Sequence, residues 1–265
     1  MADHGYIRPK KSLGQNFLKD PHYLAKIADA AKVCPEDKVL EIGPGLGNLT
    51  HVLGGRAKKV LAIELDQRLI PYLQKEFREH PNITIVQADA LEYPFETLSG
   101  KWKVVANVPY YISTPIIQRL IERRDKFTSL TLMLQKEVAE RIAASPGGKE
   151  RGFLSVFVQL YTRPKIEFKV PPGAFSPKPE VDSAVMTLLV RDRPAVLVND
   201  EDFFLVMVKA AFSQRRKTLR NALKQLNVSK EKMGIVLDKI GIDLGRRAET
   251  LTLEEFCRLA LFLHP

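Results

Sequence analysis

Between residues 38 and 144 the chain alternates short apolar runs with longer amphipathic stretches, and few folds accept that rhythm. The runs 38–42, 60–63, 83–86, 103–106 and 130–134 have the length and the Val/Ile/Leu content of strands buried on both faces. The stretches 48–53, 67–77, 115–123 and 136–144 carry apolar side chains every three to four residues, as helices do. A strand that reaches the next strand through a helix runs parallel to it, so the alternation predicts an α/β fold with a mostly parallel sheet covered on both faces. A further helix opens at Pro21 and runs to about residue 33.

After Gly152 the rhythm changes. A helix over 153–161 is followed by two strand-like runs, 165–170 and 184–190, on either side of the proline-rich PPGAFSPKPE. These two runs are close enough to add antiparallel strands at the sheet's edge. From Asn199-Asp200 onward the pattern is helical only, over 201–212, 216–226, 229–240 and 252–262. The expected division is therefore an α/β domain over 1–195 and a small all-helical domain over 196–265. A chain of 265 residues has room for both cores.

Charge separates the two parts. Residues 1–100 hold 13 Lys/Arg and 13 Asp/Glu, so the remaining 28 and 18 supply the whole net charge of +10. Residues 209–230 carry seven basic side chains and no acidic one, which predicts a polyanion surface there. Within that window Arg216, Arg220 and Lys224 fall at i, i+4 and i+8, opposite Leu219, Leu223 and Leu226. Arg215 and Lys217 adjoin the same stripe. No apolar run approaches the ~18 residues of a membrane span, and the first fifteen residues lack the apolar core of a signal peptide. With two cysteines in unrelated contexts, Cys34 and Cys257, neither a disulfide framework nor a metal cluster is suggested, and a cytoplasmic location is expected. His4, His22, His51, His80 and His264 make no coherent ligand or base set, so no metal is expected.

The chemistry gathers at strand ends. The first strand runs into Glu41-Ile42-Gly43-Pro44-Gly45-Leu46-Gly47, where glycines let the backbone turn sharply and let a ligand approach without a Cβ in the way. The second strand ends in Glu64, at the distance suited to a ribose diol, and the third in Asp89. Three carboxylates at neighbouring strand ends point to the crevice where α/β sheets bind ligands. No arginine accompanies them, which argues against a ligand with phosphates and for an adenosine-bearing cation, S-adenosylmethionine. At the fourth strand's end stands Asn107-Val108-Pro109-Tyr110, which looks like the signature of methyltransferases that act on amines conjugated to rings. Such an amine gives its lone pair to the ring and is a poor nucleophile. A side-chain carbonyl from Asn107 and the backbone carbonyl of Val108, aimed by the fixed φ of Pro109, could accept both N–H bonds and free the lone pair. The face of Tyr110 could stack on an extruded base, with its hydroxyl unused.

The sequence as a whole resembles the ribosomal RNA adenine N6,N6-dimethyltransferases, most of all their bacterial small-subunit (16S) branch. The resemblance is carried by KKSLGQNFL, EIGPGLGNLT, Glu64, Asp89, NVPYYIST, LQKEVAERI, VPPGAFSPKPEVDSAV and FSQRRKTLRNAL, in order along nearly the whole chain. It implies a Rossmann-like class I methyltransferase sheet followed by a helical RNA-binding domain. The basic segment 1–20 should close over the cofactor, with Asn16 and Leu18 at the cofactor's amino-acid end. Gly43 and Gly45 should lie under the cofactor, Glu64 should bind its ribose and Asp89 its adenine, and Asn107 should border both cofactor and target amine. Phe175 should sandwich the target adenine with Tyr110. The implied activity is dimethylation of two adjacent adenines near the 3′ end of 16S rRNA during small-subunit biogenesis, by a monomer. Two alternatives stand beside it: a large-subunit adenine dimethylase of the macrolide-resistance type, and a catalytically silent RNA-binding assembly or transcription factor on the same scaffold.

Overall fold

In the computed structural model of the chain, residues 9–10, 14–214, 216–226 and 228–264 are described. Seven strands form one sheet in the order β4-β3-β2-β5-β6-β9-β7. They are β2 (Lys38–Ile42), β3 (Lys59–Glu64), β4 (Ile83–Gln87), β5 (Trp102–Asn107), β6 (Phe127–Gln135), β7 (Thr162–Val170) and β9 (Ser183–Val190). Strands β2 to β6 pair in parallel. Strand β9 lies antiparallel to β6 and enters between β6 and β7, so β7 forms the edge. The predicted strands all exist, most within one or two residues of their expected bounds.

Helices α2 (Asn48–Gly54), α3 (Ile70–Glu76) and α4 (Ser113–Glu122) join parallel strands, while α1 (Pro21–Ala30) precedes the first of them and α5 (Lys136–Ala143) follows the last. Helix α1 starts where it does because the Asp20 carboxylate accepts from the His22 amide (2.9 Å) and Pro21 fits the first helical position. Its face of Leu24, Ile27 and Ala28 is buried in a core shared with Val39, Leu53, Val60 and Val105. Leu24 and Ile27 each contribute roughly 1.5–3 kcal/mol by leaving water.

A second, two-stranded sheet was not expected. Strands β1 (Phe17–Leu18) and β8 (Phe175–Ser176) pair antiparallel, with Leu18 opposite Phe175. The pairing joins GQNFL to the proline-rich motif, and the Lys19 amide extends it to the Ala174 carbonyl (3.1 Å).

The chain divides into two compact units, one of residues 1–139 and 164–190, the other of 140–163 and 191–265. Residues 140–163 thus belong with the C-terminal helices, whereas the change in composition had marked only the boundary near 195. A polar clamp explains their cohesion. Arg151, 2% exposed, donates to the Ala144 carbonyl (2.8 Å) and to Gln159 Oε1 (3.1 Å). Gln159 in turn donates to the carbonyls of Ile142 and Ala144, so the open end of α5 is satisfied from α6 (Phe153–Tyr161). The remaining helices of this unit are α7 (Glu201–Phe212), α8 (Leu219–Ala222), α9 (Lys230–Gly234), α10 (Val236–Ile240) and α11 (Leu253–Leu263).

The helix expected over 216–226 is broken. Arg216 and Lys217 lie in a turn, α8 covers one turn, and 223–226 continue as a 3-10 helix. The cause is tertiary: the amides of Leu219 and Arg220 bond the carbonyls of Arg246 and Leu244, which fixes where α8 begins. Among the described residues no helix is long and apolar enough to cross a membrane.

Candidate active site

The turn after β2 is built on left-handed backbone: Gly43, Gly45 and Gly47 have φ of 71°, 58° and 80°. At Gly45 a Cβ would stand 2.9 Å from the Phe17 ring, so only glycine lets β1 close onto the turn. The turn, the ends of β3, β4 and β5, and residues 14–17 enclose a cleft of about 750 Å³, open mouth included. Asn16, Gly43, Gly45, Glu64 and Asp89 line it, and so do Asn107, Val108, Pro109 and Tyr110.

The three strand-end carboxylates are not equivalent. Glu64 closes β3 at the cleft wall and accepts from the amides of Gly45 (3.1 Å) and Asp66 (2.8 Å). Burial pushes its carboxyl up from the ordinary range, and these amides partly offset the rise. Asp89 follows β4, and its Oδ1 accepts from the Leu91 amide (2.8 Å). Glu41 does not line this cleft. It lies one residue inside the end of β2 and faces a smaller adjoining cavity, also lined by Leu18, Gly43 and Asn107. It is 1% exposed, and one of its carboxyl oxygens, Oε2, has no partner among the described residues. Burial, added to by the charge of Glu64, raises it to about 8.

Sequence reasoning missed a second acidic group. Asp66 is buried, pairs with Arg68 (2.6 Å) and accepts from Gln15 Nε2 (2.9 Å). Arg68 chiefly holds its carboxyl down at about 2. The pair anchors residues 14–17 beside the cleft and occupies the arginine nearest to Glu64 in sequence. Gln15, in the middle of GQNFL, was the available signal.

Asn107 ends β5 at the junction of these parts. Its Nδ2 donates to the Asn16 carbonyl (3.1 Å), and its Oδ1 has no protein partner among the described residues. The Val108 side chain is buried, and its amide bonds the Met133 carbonyl. A 3-10 turn over Tyr110–Ile112 follows. The Tyr110 hydroxyl lies 2.7 Å from Ser183 Oγ on β9, so the hydroxyl is used, against the expectation that only the ring face mattered. Phe175 is 6% exposed and packs in the core with Leu18 and Val185, outside the cleft lining. Of the basic candidates Arg216, Lys217, Arg220 and Lys224 are exposed, and Arg215 lies outside the described residues.

With glycine turn, acidic strand ends and Asn-Val-Pro-Tyr in one cleft, comparison with known proteins becomes decisive. Residues 7–264 match the family described as ribosomal RNA adenine dimethylase. The chain belongs to the ribosomal RNA adenine dimethylases. It is 49% identical over 261 residues to the ribosomal RNA small subunit methyltransferase A of Geobacter metallireducens, covering 96% of this chain and 95% of that protein. The protein of the same name from Moorella thermoacetica is 49% identical over 263 residues, covering 95% and 91%. Two solved structures share the fold. A dimethyladenosine transferase from Plasmodium falciparum superposes with a TM-score of 0.77 at 31% identity, covering 92% of this chain and 96% of that one. The 23S rRNA methyltransferase ErmE superposes with a TM-score of 0.75 at 29% identity, covering 94% and 100%. The sheet is thus the class I methyltransferase arrangement that the family resemblance implied, on the mostly parallel α/β frame that the strand rhythm predicted.

Proposed function

We propose that the protein dimethylates N6 of two adjacent adenines near the 3′ end of 16S rRNA, with S-adenosylmethionine as donor. The observation that carries the reading is Asn107. Its amide nitrogen is held by the Asn16 carbonyl, which turns Oδ1 into a free acceptor where the glycine turn meets Tyr110. An acceptor there can take an N–H of the target amine and draw the lone pair out of conjugation with the ring. Tyr110, steadied through Ser183, offers a face to the base.

The residues present fit the donor. Gly43 and Gly45, both left-handed, leave backbone bare where the cofactor would lie, Glu64 closes the strand suited to the ribose diol, and Asp89 stands at the next strand's end. Asn16, on the cleft wall, would flank the amino-acid end, whereas Leu18, expected there too, is buried and faces the smaller adjoining cavity. Bound there, S-adenosylmethionine supplies a methyl group activated by its cationic sulfur. Phe175 would need to leave the core to stack on a base, so in this reading β8 shifts when RNA binds.

The small-subunit branch is favoured over the large-subunit one by the 49% identity to the small-subunit enzymes, against 29% to ErmE. An intact Asn-Val-Pro-Tyr speaks against a silent assembly factor. In this reading Arg216, Lys217, Arg220 and Lys224, with Arg215, contact rRNA phosphates, residues 196–265 form the RNA-binding domain, and the enzyme works as a cytoplasmic monomer. The test incubates the purified protein and S-adenosylmethionine with small subunits from a strain lacking this modification. Mass spectrometry should then find dimethyladenosine in adjacent residues of 16S rRNA. Absence of product there, or product formed only when large subunits carrying 23S rRNA are supplied instead, would sink the proposal.

A further inference from the structure

The motif NVPYY holds two tyrosines, and the proposed chemistry uses one. The 3-10 turn sends them apart: Tyr110 reaches β9, while Tyr111 lines the cofactor cleft and is 54% exposed. A half-exposed aromatic ring on a cleft wall gains little from folding, which makes a ligand the natural partner for its open side. Two observations say which part of a ligand. Tyr111 shares the cleft wall with Glu64 and Asp89, the strand-end carboxylates suited to a nucleoside, and partial burial together with their negative charges pushes its phenol up. Its ring edge packs against Gly14: a Cβ built there would meet Tyr111 Cδ1 at 3.3 Å and Cε1 at 3.7 Å. Gly14 has φ of 57° and opens the segment that Asn107 and Asp66 tie to the cleft.

We infer that Tyr111 is a cofactor-binding residue whose ring walls the nucleoside half of the cleft, and that residues 14–17 set its position by packing Gly14 against its edge. This rests on the reading of the cleft as an S-adenosylmethionine site and adds a residue to it. The carboxylates of Glu64 and Asp89 hold the nucleoside's polar edges, and the Tyr111 ring covers an apolar face that they cannot serve. Closure of the N-terminal segment and affinity for the nucleoside are then coupled through one van der Waals contact.

The experiment is calorimetric titration of the full chain, without RNA, using S-adenosylhomocysteine and, separately, 5′-methylthioadenosine, which lacks the amino-acid end. Tyr111→Ala should weaken both ligands by about fivefold or more, the lower end of what an aromatic face contributes on a base. Tyr111→Phe should stay within about threefold of wild type, because the ring is retained. Since Tyr111 is half exposed, its truncation should leave the melting temperature nearly unchanged, and that is checked first. Gly14→Ala should weaken S-adenosylhomocysteine more in the wild-type background than in Tyr111→Ala, where the ring it would collide with is gone. Wild type binding while Tyr111→Ala binds equally well would overturn this inference alone. Loss confined to S-adenosylhomocysteine would move Tyr111 away from the nucleoside and also overturn it. An equal effect of Gly14→Ala in both backgrounds would overturn the coupling. Wild type failing to bind either ligand would overturn the cofactor site itself.

Discussion

Glu41→Gln should change the protein's stability in a manner fixed by pH. Glu41 sits between β3 and β5, opposite Ala62 and Val105, with 1% exposure and an unpartnered Oε2. The Thr50 hydroxyl beside it relieves the burial only in part, since Oγ1 makes no well-formed hydrogen bond. The folded carboxyl therefore titrates at about 8, against 4.5 when exposed. Between these values the folded protein keeps a proton that the unfolded chain has lost. Stability then falls as pH rises, by up to ~1.4 kcal/mol per pH unit, and levels off above about 8. Over the window of about 3.5 units the limit is ~5 kcal/mol, and relaxation of the surroundings reduces it to a few. Glutamine keeps the shape and cannot ionise. The variant should match wild type within ~1 kcal/mol at pH 5 and exceed it by ~2–4 kcal/mol at pH 8. The single tryptophan, Trp102, is buried in β5 and reports the unfolding of that unit alone. Urea titrations followed by its fluorescence at pH 5, 6, 7 and 8 give the difference directly. A wild-type-to-variant difference that stays constant across these pH values would refute the buried, protonated Glu41.

Other perturbations separate the remaining roles. Asn107→Ala should lower the single-turnover methylation rate by ~10²–10³ at saturating S-adenosylmethionine while RNA affinity stays near wild type; a near-normal rate would leave the motif as a strand exit. Some loss of cofactor affinity should accompany it, because the variant also releases the Asn16 carbonyl. Replacing Arg216, Arg220 and Lys224 together by Gln should reduce the salt slope of RNA binding by about 2–3 units with cofactor affinity unchanged, and an unaltered slope would return these side chains to solvent. Arg151→Ala should destabilise the unit containing α6 by ~1–3 kcal/mol, since it leaves Gln159 Oε1 without its donor and the Ala144 carbonyl with Gln159 alone. Circular dichroism should show that unit melting earlier while the Trp102 signal holds; coincident melting of both would count against a local clamp.

How much of this was legible depended on which force set each element. Strands β2 to β5 could be read to within a residue or two because burial on both faces writes a continuous apolar run. Strands β1 and β8 could not: two residues carry no period, and their pairing joins distant parts of the chain. The break at α8 was invisible for another reason. Leu219 and Leu223 satisfy a helical spacing whether the helix continues or gives way to a 3-10 turn, and the deciding amide bonds go to residues 244 and 246. Glu41 and Glu64 looked alike as strand-end carboxylates, yet Glu41 pairs opposite Ala62, so Glu64 lies two positions further along, at the cleft, while Glu41 stays inside the sheet.

The same reasoning explains why the cofactor cleft is easier to locate from sequence than the RNA surface. In the proposed reading, a cofactor held against backbone demands specific stereochemistry: Gly43 and Gly45 at positive φ on the cleft wall, a carboxylate on the final residue of β3, an amide on the final residue of β5. Each demand admits few residue types, so each leaves a mark at a fixed spacing. Phosphate contact demands only a cation within reach on a flexible stem. Arg216 in a turn, Arg220 on α8 and Lys224 on the following 3-10 helix are all exposed without sharing one helical face. A continuous stripe was therefore the wrong geometry to infer from their spacing, but seven cations without an acid in 22 residues remains the relevant quantity. Charge density survives a change of local backbone, whereas the cleft would not survive a Cβ at Gly45.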